Sequence, residues 1–389
     1  MNIVLFDNQY RENLLPFTFL RPISEIRMGI LTISQKWEVY LEGEVSHFSH
    51  DSLTELYPLF LEDDNIFIAG NILPNDTLAK AIQSLNQHEA LFSPDNRLMA
   101  LKAGSPEQFL QLDHFNKITF SENYTEINEK FDIFLQNSSE IKNDFKKIIH
   151  SSHSAPVSKS NIMIGDKSLI FMDEGVKMEG CTLNTTDGPI FIGKDVEIME
   201  GSNLRGPIAI LEHSVIKMGA KIYGGTTIGP YCKVGGELSN VVMFGYSNKA
   251  HDGYLGNAVI GTWCNIGAGT SASNLKNDYG NVRQWNYKTE QFERTNQQFC
   301  GLMMGDHSKC GINVSFNTGT VIGICSSVYG SDFQNFYIPS FMIGSPSSGY
   351  HKNLFEKIIS SEKAMMIRRN IEIDETYLTL IRTLYDKTK

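Results

Sequence analysis

Aliphatic residues recur at every sixth position through much of the second half of the chain. The longest uninterrupted series has eight members: Ile192, Ile198, Leu204, Ile210, Ile216, Ile222, Ile228 and Val234. This period fits neither the 3.6-residue repeat of a helix nor the two-residue alternation of a continuous strand. It fits short strands that turn a corner every six residues, so that three hexads complete one coil. The pattern therefore predicts a left-handed parallel β-helix.

The six-residue period is interrupted twice and then returns. It reappears at Ile260 and Ile266 and again from Met304 to Val328. The second interruption contains an excursion from Ser271 to Gly301 that is rich in basic, amide and aromatic residues. Insertions in solenoids form loops, and loops often carry binding sites. We place the β-helix at residues 155–348 and interpret the excursion as a loop that can arch over a neighbouring subunit.

The first 150 residues follow a different pattern. The short apolar runs from Asn2 to Phe6 and from Asn65 to Ala69 are typical of buried strands. Residues 76–87 have helical spacing, with Asn75 and Asp76 as candidate caps. Because strands alternate with helices, we predict an α/β domain.

The boundaries of this domain and of the C-terminal end follow from changes in pattern. Residues 121–149 are charged and helical in spacing, and we assign them to a connecting segment. The stretch from Ser151 to Ser158 is small, polar and contains a proline, which predicts a junction near residue 155. The N-terminal domain with its connecting segment is therefore placed at residues 1–154. After Ser348, helical spacing returns, which predicts a helical segment at residues 349–389 that caps or packs along the β-helix.

Composition narrows the range of functions. The chain has 389 residues with 44 acidic and 34 basic side chains, for a net charge of -10, which opposes broad binding of nucleic acid or an anionic membrane. The six cysteines contain no C-x-x-C pair and are typical of reduced core residues. The longest uncharged run, Gly253 to Leu275, is too polar for a membrane span, and the N-terminus lacks the apolar region of a signal peptide. We expect a cytoplasmic protein.

His251 is the first candidate for chemistry because imidazole exchanges protons near neutral pH. Glu237 precedes it by 14 residues, close to one coil, so the two can lie on adjacent coils. On the residues alone, a structural hydrogen-bonding role for His251 stays open. His213, His251 and His307 lack the close histidine pair of a three-histidine zinc hydratase, and we predict no metal site in this domain.

The segment from Glu237 to Asn274 resembles the acetyltransferase domain of bifunctional GlmU-type enzymes. The motif residues of that family fall on Glu237, His251, Tyr254, Asn265 and Asn274, and the N-I-G-A-G-T segment that starts at Asn265 is intact. The resemblance covers roughly residues 160 to 345. It implies acetyl transfer from acetyl-CoA to an amino-sugar phosphate by a homotrimer, with His251 and Glu237 catalytic and Tyr254, Asn265 and Asn274 binding substrate.

The resemblance is incomplete at positions that would contact phosphate or sugar. The family's lysine two residues after the glutamate is Ser239 here, its arginine 16 residues before the glutamate is Lys221, and its tyrosine after the second asparagine is Leu275. Lys221, Lys249 or a basic residue of the long loop is therefore expected to bind the substrate phosphate.

The N-terminal residues resemble sugar nucleotidyltransferases more faintly. Arg11, the stretch from Leu14 to Thr18, and Arg21-Pro22 follow the order of that family's nucleotide-binding motif. The resemblance implies that Arg11 and Arg21 bind the phosphates of UTP or dTTP with Mg²⁺, for which Asp7, Asp63 and Asp64 are candidate ligands. The residues from Asp7 to Tyr10 replace the glycines that allow close approach of a triphosphate, so we expect weak or absent nucleotidyl transfer.

Two functions of different classes remain. The first is an amino-sugar phosphate acetyltransferase, with or without nucleotidyl transfer by the N-terminal domain. The second is a sugar-nucleotide binding protein or scaffold without acetyltransferase activity. The intact motif around His251 favours the enzyme.

Overall fold

The computed structural model describes residues 2–149 and 153–388, which form an α/β domain, a parallel β-helix and two C-terminal helices. The strands of the first domain are β1 (Asn2–Phe6), β2 (Glu44–Phe48), β3 (Asn65–Ala69), β4 (Ile72–Leu73), β5 (Glu89–Phe92), β6 (Leu98–Ala103), β7 (Asn116–Thr119) and β8 (Thr125–Glu126). Its helices are α1 (Ile33–Leu41), α2 (Asp76–Gln83) and α3 (Asp132–Ile149). Six of the strands form a mixed sheet in the order β2-β1-β3-β6-β5-β7.

The N-terminal predictions hold with shifted boundaries. Strands β1 and β3 match the two predicted strands, and all five residues of each are buried. Helix α2 begins as predicted, with the Asn75 side chain accepting the Leu78 N–H, but it ends at Gln83 rather than Gln87. The segment predicted as helical from residue 121 becomes a helix only at Asp132, after β8. In the predicted linker, residues 151 and 152 lie outside the described residues, and residues 153–158 have no regular secondary structure.

Helix α3 does more than link the two domains along the chain, because it forms hydrogen bonds with both of them. Asn137 on α3 accepts the Gly29 N–H at 2.7 Å and donates to the Gly225 carbonyl of the β-helix at 2.7 Å. The Thr227 hydroxyl donates to the Gly29 carbonyl at 2.8 Å and completes this buried network. Because buried polar groups need partners, these bonds fix the α/β domain against one face of the β-helix.

The β-helix has three faces of parallel strands. The first face contains Ile162–Ile164, Thr182–Asn184, Asn203–Arg205, Lys221–Ile222, the starts of Glu237–Gly245 and Tyr254–Thr262, and the pair Ser271–Ala272 and Ser315–Phe316. The second face contains Ile170–Met172, Ile190–Ile192, Ile208–Ile210, Thr226–Ile228, the ends of Glu237–Gly245 and Tyr254–Thr262, Met303–Met304, Val321–Ile322 and Tyr337–Ile338. The third face contains Lys177–Met178, Glu197–Ile198, Val215–Ile216, Lys233–Val234, Asn248–Lys249, Asn265–Ile266, Lys309–Cys310, Ser327–Val328 and Met342–Ser345.

The six-residue period places its aliphatic residues inside the coils. Ile198 pairs with Ile216, and Ile216 pairs with Val234, so each coil advances the same face by 18 residues. All three residues are at most 2% exposed and belong to one continuous core. The predicted fold class is therefore confirmed: an α/β domain is followed by a hexapeptide β-helix and C-terminal helices.

The excursion between Ser271 and Gly301 packs on the α/β domain of its own chain. It contains an antiparallel hairpin of Arg283–Asn286 and Gln291–Arg294. Tyr287, in the hairpin turn, meets Phe19 edge to face, with ring centroids 5.6 Å apart. The aromatic residues of the hairpin join the core of that domain. Contact of this loop with a neighbouring subunit stays a prediction.

The C-terminal helices α4 (Phe355–Ile367) and α5 (Glu375–Lys387) pack on the β-helix, as predicted, after a hairpin of Met342–Ser345 and Gly349–Lys352. At the contact, the His307 Nδ1 atom lies 2.7 Å from Glu362 of α4 and its Nε2 atom lies 2.8 Å from the Tyr377 hydroxyl of α5. Lys309 forms an ion pair with the other oxygen of Glu362. Burial alone would raise the pKa of Glu362, but His307 and Lys309 outweigh it and hold that pKa below its ordinary value.

All six cysteines are buried free thiols, in agreement with their predicted role as core residues. Among the described residues, no helix is both long and apolar enough to cross a membrane.

Candidate functional site

Three of the predicted site residues lie side by side on the outside of the first face. Lys221 pairs in register with Glu237, and Glu237 pairs with Tyr254 on the next coil. Their neighbours in sequence, Ile222 and Leu238 among them, point into the core, so the alternation of a strand turns these three side chains outward. The Lys221 ammonium and the Glu237 carboxylate are 3.8 Å apart.

Tyr254 and Asn274 are also brought together, although 20 residues separate them. The Asn274 side-chain amide donates to the Tyr254 hydroxyl at 3.2 Å and to the Asn257 side-chain oxygen at 2.7 Å. Gly256 leaves room for this contact, because a Cβ atom there would lie 2.3 Å from the Tyr254 oxygen and 2.6 Å from the Asn274 nitrogen. The glycine is thus required by the hydrogen-bonded pair.

His251 lies on the corner that leads from the third face to Tyr254 on the first face. Its side chain is exposed and makes no hydrogen bond to any part of the chain that the structure describes. The corner packs against the Gly235-Gly236 turn of the preceding coil, since a Cβ atom on Gly236 would lie 2.9 Å from the His251 carbonyl oxygen. The imidazole is therefore exposed beside the turn that leads into Glu237.

Lys249 does not face this surface. It is 1% exposed and pairs in register with Val234, a core residue, so its side chain enters the β-helix interior. Its ammonium donates to the His251 carbonyl oxygen at 2.6 Å. Burial lowers the pKa of Lys249 to about 8, and only the more distant Asp252 and Cys310 oppose that effect. From the interior of the β-helix, this hydrogen bond of the lysine stabilises the backbone of the His251 corner.

Asn265 lies apart from the Lys221, Glu237 and Tyr254 row. It is on the third face beside Asn248, whose amide nitrogen is 3.5 Å from the Asn265 side-chain oxygen. Asn248 in turn accepts a hydrogen bond from Arg369, which lies beyond the end of α4. Within one chain, the His251 corner thus stands between Asn265 and the row on the first face.

A groove continues the row along the first face toward the N-terminal coils. It has a volume of about 330 Å³ and is lined by Thr182, Asn184, Asn203, Leu204, Arg205, Lys221, Ile222 and Tyr223. Arg205 forms an ion pair with Asp187 at 2.6 Å and is half exposed. Arg205 and Tyr223 were not among the residues predicted from the sequence. The signal that could have found them is their position one residue after the inward Leu204 and Ile222, which sends their side chains outward.

The two N-terminal arginines have different surroundings. Arg11 Nε lies 3.1 Å from the Asp7 carboxylate, whose other oxygen accepts the Ile23 N–H at 2.8 Å. Arg21 is buried and reaches the β-helix, where it lies 2.9 Å from Asp306 and 3.1 Å from the Thr262 hydroxyl. Arg21 therefore joins two domains, whereas the partly buried Arg11 stays within the loop after β1.

The residues expected to bind Mg²⁺ do not form a metal site. Both Asp7 oxygens are engaged, while Asp64 pairs with Lys102 at 3.0 Å and accepts from Gln87 at 2.7 Å. In the described ranges, no three His, Cys, Asp or Glu side chains are grouped so that they could hold a metal ion. A small cleft of about 140 Å³ at the carboxyl ends of β1 and β3 is lined instead by Asn8, Tyr10 and the Arg97–Glu126 ion pair.

Comparison with known proteins relates this chain to transferases. Residues 3–153 match the family model for sugar nucleotidyl transferases. The bifunctional protein GlmU of Trichormus variabilis is 32% identical over 114 residues, which cover 27% of this chain and 25% of that protein. A bifunctional sugar-1-phosphate nucleotidylyltransferase/acetyltransferase of Sulfurisphaera tokodaii is 28% identical over 145 residues, covering 36% of this chain and 35% of that protein.

Among solved structures, the polySia specific acetyltransferase NeuO aligns with 52% of this chain and 93% of its own, at 10% identity and a TM-score of 0.29. The β-helix assignment rests on the strand pairing described above. The chain spans about a quarter to a third of the length of the curated relatives it matches. The predicted resemblance is confirmed to this extent: residues 3–153 match the sugar nucleotidyl transferase model, and part of the chain is similar to bifunctional GlmU-type proteins.

Proposed function

We propose that this protein transfers an acetyl group from acetyl-CoA to the amine of an amino-sugar phosphate. The observation that carries the proposal is the exposed His251 imidazole, unengaged by the described chain and fixed on a corner beside the row of Lys221, Glu237 and Tyr254. An unpartnered imidazole on a rigid scaffold next to a polar groove is the arrangement that a general base requires.

In the proposed reaction, the amine nitrogen attacks the thioester carbonyl carbon. The new C–N bond forms, the C–S bond breaks, and His251 accepts the amine proton and returns a proton to the departing CoA thiolate. Glu237 follows the turn that packs against the His251 corner, so its carboxylate is suited to stabilise the imidazolium or orient the amine. Tyr254 and Asn274 form a hydrogen-bonded pair that can receive a sugar hydroxyl or the acetyl oxygen.

The substrate phosphate is assigned to the groove that contains Lys221 and Arg205. Exposed ion pairs contribute only about 0–1 kcal/mol, so the pairs of Lys221 with Glu237 and Arg205 with Asp187 can open to receive a phosphate. This basic groove supports a phosphorylated acceptor despite Ser239 and Leu275. The resemblance to GlmU-type proteins favours an acceptor like glucosamine-1-phosphate.

We also propose a homotrimer, as the resemblance implies. In a trimer, the isolated Asn265 on the third face of one subunit can complete the site on the first face of its neighbour. This arrangement would explain why Asn265 belongs to the motif although, within a single chain, it lies on a different face from Glu237 and Tyr254.

The second candidate function, sugar-nucleotide binding without turnover, applies to the N-terminal domain. The match of residues 3–153 supports binding of a sugar nucleotide. Two features speak against turnover: the described acidic residues form no group that could hold a metal ion, and the loop after β1 lacks glycine. Pyrophosphate release from UTP or dTTP with sugar-1-phosphates, measured with and without Mg²⁺, tests it. Binding without release is expected, and sustained release would assign nucleotidyl transfer to this domain.

The acetyltransferase proposal is tested by incubating the protein with acetyl-CoA and a panel of amino-sugar phosphates. Free thiol is followed spectroscopically and the N-acetyl product by mass spectrometry. We expect thiol release that requires both the amine and the phosphate of the acceptor, and no release with the corresponding sugar phosphates that lack an amine. Absence of release with every amino-sugar phosphate would favour the scaffold function.

A further inference from the structure

One cavity is assembled from three segments that are far apart in sequence. Its volume is about 540 Å³, within the range of small-molecule sites. The loop after β1 contributes Arg11, the hairpin of the β-helix excursion contributes Lys288, and the last residue of α5 contributes Lys387. His50 completes the polar side.

The charge of this cavity is opposite to that of the chain. Three permanent cations and one acid, Glu12, line it, whereas the chain carries a net charge of -10. Neither Lys288 nor Lys387 forms an ion pair with any of residues 2–149 and 153–388. Arg11 uses Nε for Asp7 and Nη2 for the Thr18 carbonyl, which leaves Nη1 without a partner among the same residues.

His50 adds a hydrogen-bond donor to these cations. Its Nδ1 atom accepts the Ser52 backbone N–H at 3.2 Å, so the neutral ring carries its proton on Nε2. Burial lowers the pKa of His50, and Arg11 and Lys387 lower it further, whereas Asp51 and Asp7 act in the opposite direction. An anion bound there would oppose the effect of Arg11 and Lys387.

We propose that this cavity binds the phosphate groups of a small phosphorylated metabolite. Unpaired lysines beside a guanidinium are suited to phosphate oxygens, and the apolar side chains of Leu15, Phe19 and Leu384 form a wall for the organic part. The site shares Asn8 and Gln9 of the loop after β1 with the smaller cleft, but the Arg97–Glu126 ion pair lines only that cleft. A ligand here would tie α5 and the hairpin to the N-terminal domain.

The site can be tested on the full chain with inorganic pyrophosphate and with uridine diphosphate as probes. The test variant is Lys288→Gln combined with Lys387→Gln; both lysines are exposed, so the fold should be retained. The control is Lys117→Gln, an exposed lysine of β7 outside the cavity. Isothermal titration measures affinity, and NMR titration of the His50 ring measures its response.

We expect pyrophosphate to bind the wild-type protein and the control alike, with an affinity at least tenfold weaker in the double variant and a raised His50 pKa in the complex. Tighter binding of uridine diphosphate that is equally lost in the double variant would identify a nucleotide as the organic part. Pyrophosphate binding that is unchanged by the double substitution, or absent in wild type at millimolar concentration, would overturn the proposal. Neither result depends on acetyl transfer.

Discussion

Replacing Lys249 with methionine should make the protein more stable and less active. Methionine has a similar length and no charge, so it can fill the interior position beside Val234 without overpacking. It cannot donate to the His251 carbonyl oxygen, which the lysine ammonium reaches at 2.6 Å. The substitution therefore removes a buried charge and, at the same time, the bond that fixes the corner of the proposed base.

The expected change in stability follows from the pKa of about 8 for Lys249, compared with an ordinary value of 10.5. At about 1.36 kcal/mol per pKa unit, keeping the ammonium charged inside the fold costs roughly 3 kcal/mol, which partial solvation reduces to ~2 kcal/mol. The lost hydrogen bond costs about 1 kcal/mol. Below the folded-state pKa the full penalty applies to wild type, so Lys249→Met should be more stable by about 1 kcal/mol near neutral pH.

At high pH, proton linkage reverses the sign of the stability difference between Lys249→Met and wild type. Between about pH 8 and pH 10.5 the unfolded chain keeps the Lys249 proton while the folded chain releases it, so wild-type stability rises relative to the variant. Urea denaturation at about pH 7 and about pH 9.5 measures this change, with Lys177→Met, an exposed third-face lysine, as the control. Because the corner is no longer held, kcat for acetyl transfer should fall about tenfold or more. A variant with wild-type kcat would show that the Lys249 hydrogen bond does not position His251, and one less stable than wild type near neutral pH would show that the buried charge is not destabilising.

Three further changes test the fold and the site. Ile216→Asp should destabilise the β-helix by on the order of 4 kcal/mol, because it puts an unpaired charge in the core; an unchanged thermal midpoint would contradict the hexad register. Because the pKa of Glu362 is lowered in the folded state, its ionised carboxylate stabilises the fold above the ordinary pKa of a glutamate, and this stabilisation is lost as the pH falls through the folded-state pKa. The free energy of unfolding of Glu362→Gln should therefore depend less on pH in the acid range than that of wild type. Equal pH dependence in the two proteins would contradict this. Gly256→Ala should separate Tyr254 from Asn274 and reduce acetyl transfer by about tenfold, with little loss of helicity in circular dichroism; full activity would show that the pair is dispensable.

The parts of the structure that the sequence predicts are those set by local periodicity. The spacing from Ile198 through Ile216 to Val234 fixes both the coil length and the inward positions, because each coil repeats the same environment. The next coil breaks this rule. Lys249 follows Val234 by 15 residues rather than 18, and a polar residue that occupies an inward position in a shortened coil cannot be recognised by counting hexads.

Contacts between the domains could not be predicted from local patterns in the sequence. Arg21 meets Asp306 across 285 residues, and the cavity beside Arg11 includes residues of the excursion and of α5. Local patterns specify strands and helices, whereas such pairings depend on how completed domains dock. For the same reason, Arg21 was expected near a nucleotide but lies in a domain contact, while Glu237 and Tyr254, on adjacent coils of one regular scaffold, lie side by side.

The proposed role of His251 as the base in acetyl transfer is tested most directly by replacing its imidazole and measuring turnover and acceptor binding separately. Wild type and His251→Asn are compared for thiol release from acetyl-CoA with the best amino-sugar phosphate acceptor, with the acceptor affinity of each protein measured separately. We expect kcat to fall by about 10²-fold or more while acceptor binding and thermal stability stay close to wild type, because the side chain is exposed and has no hydrogen bond to the described chain. Turnover at the wild-type rate without the imidazole would contradict it.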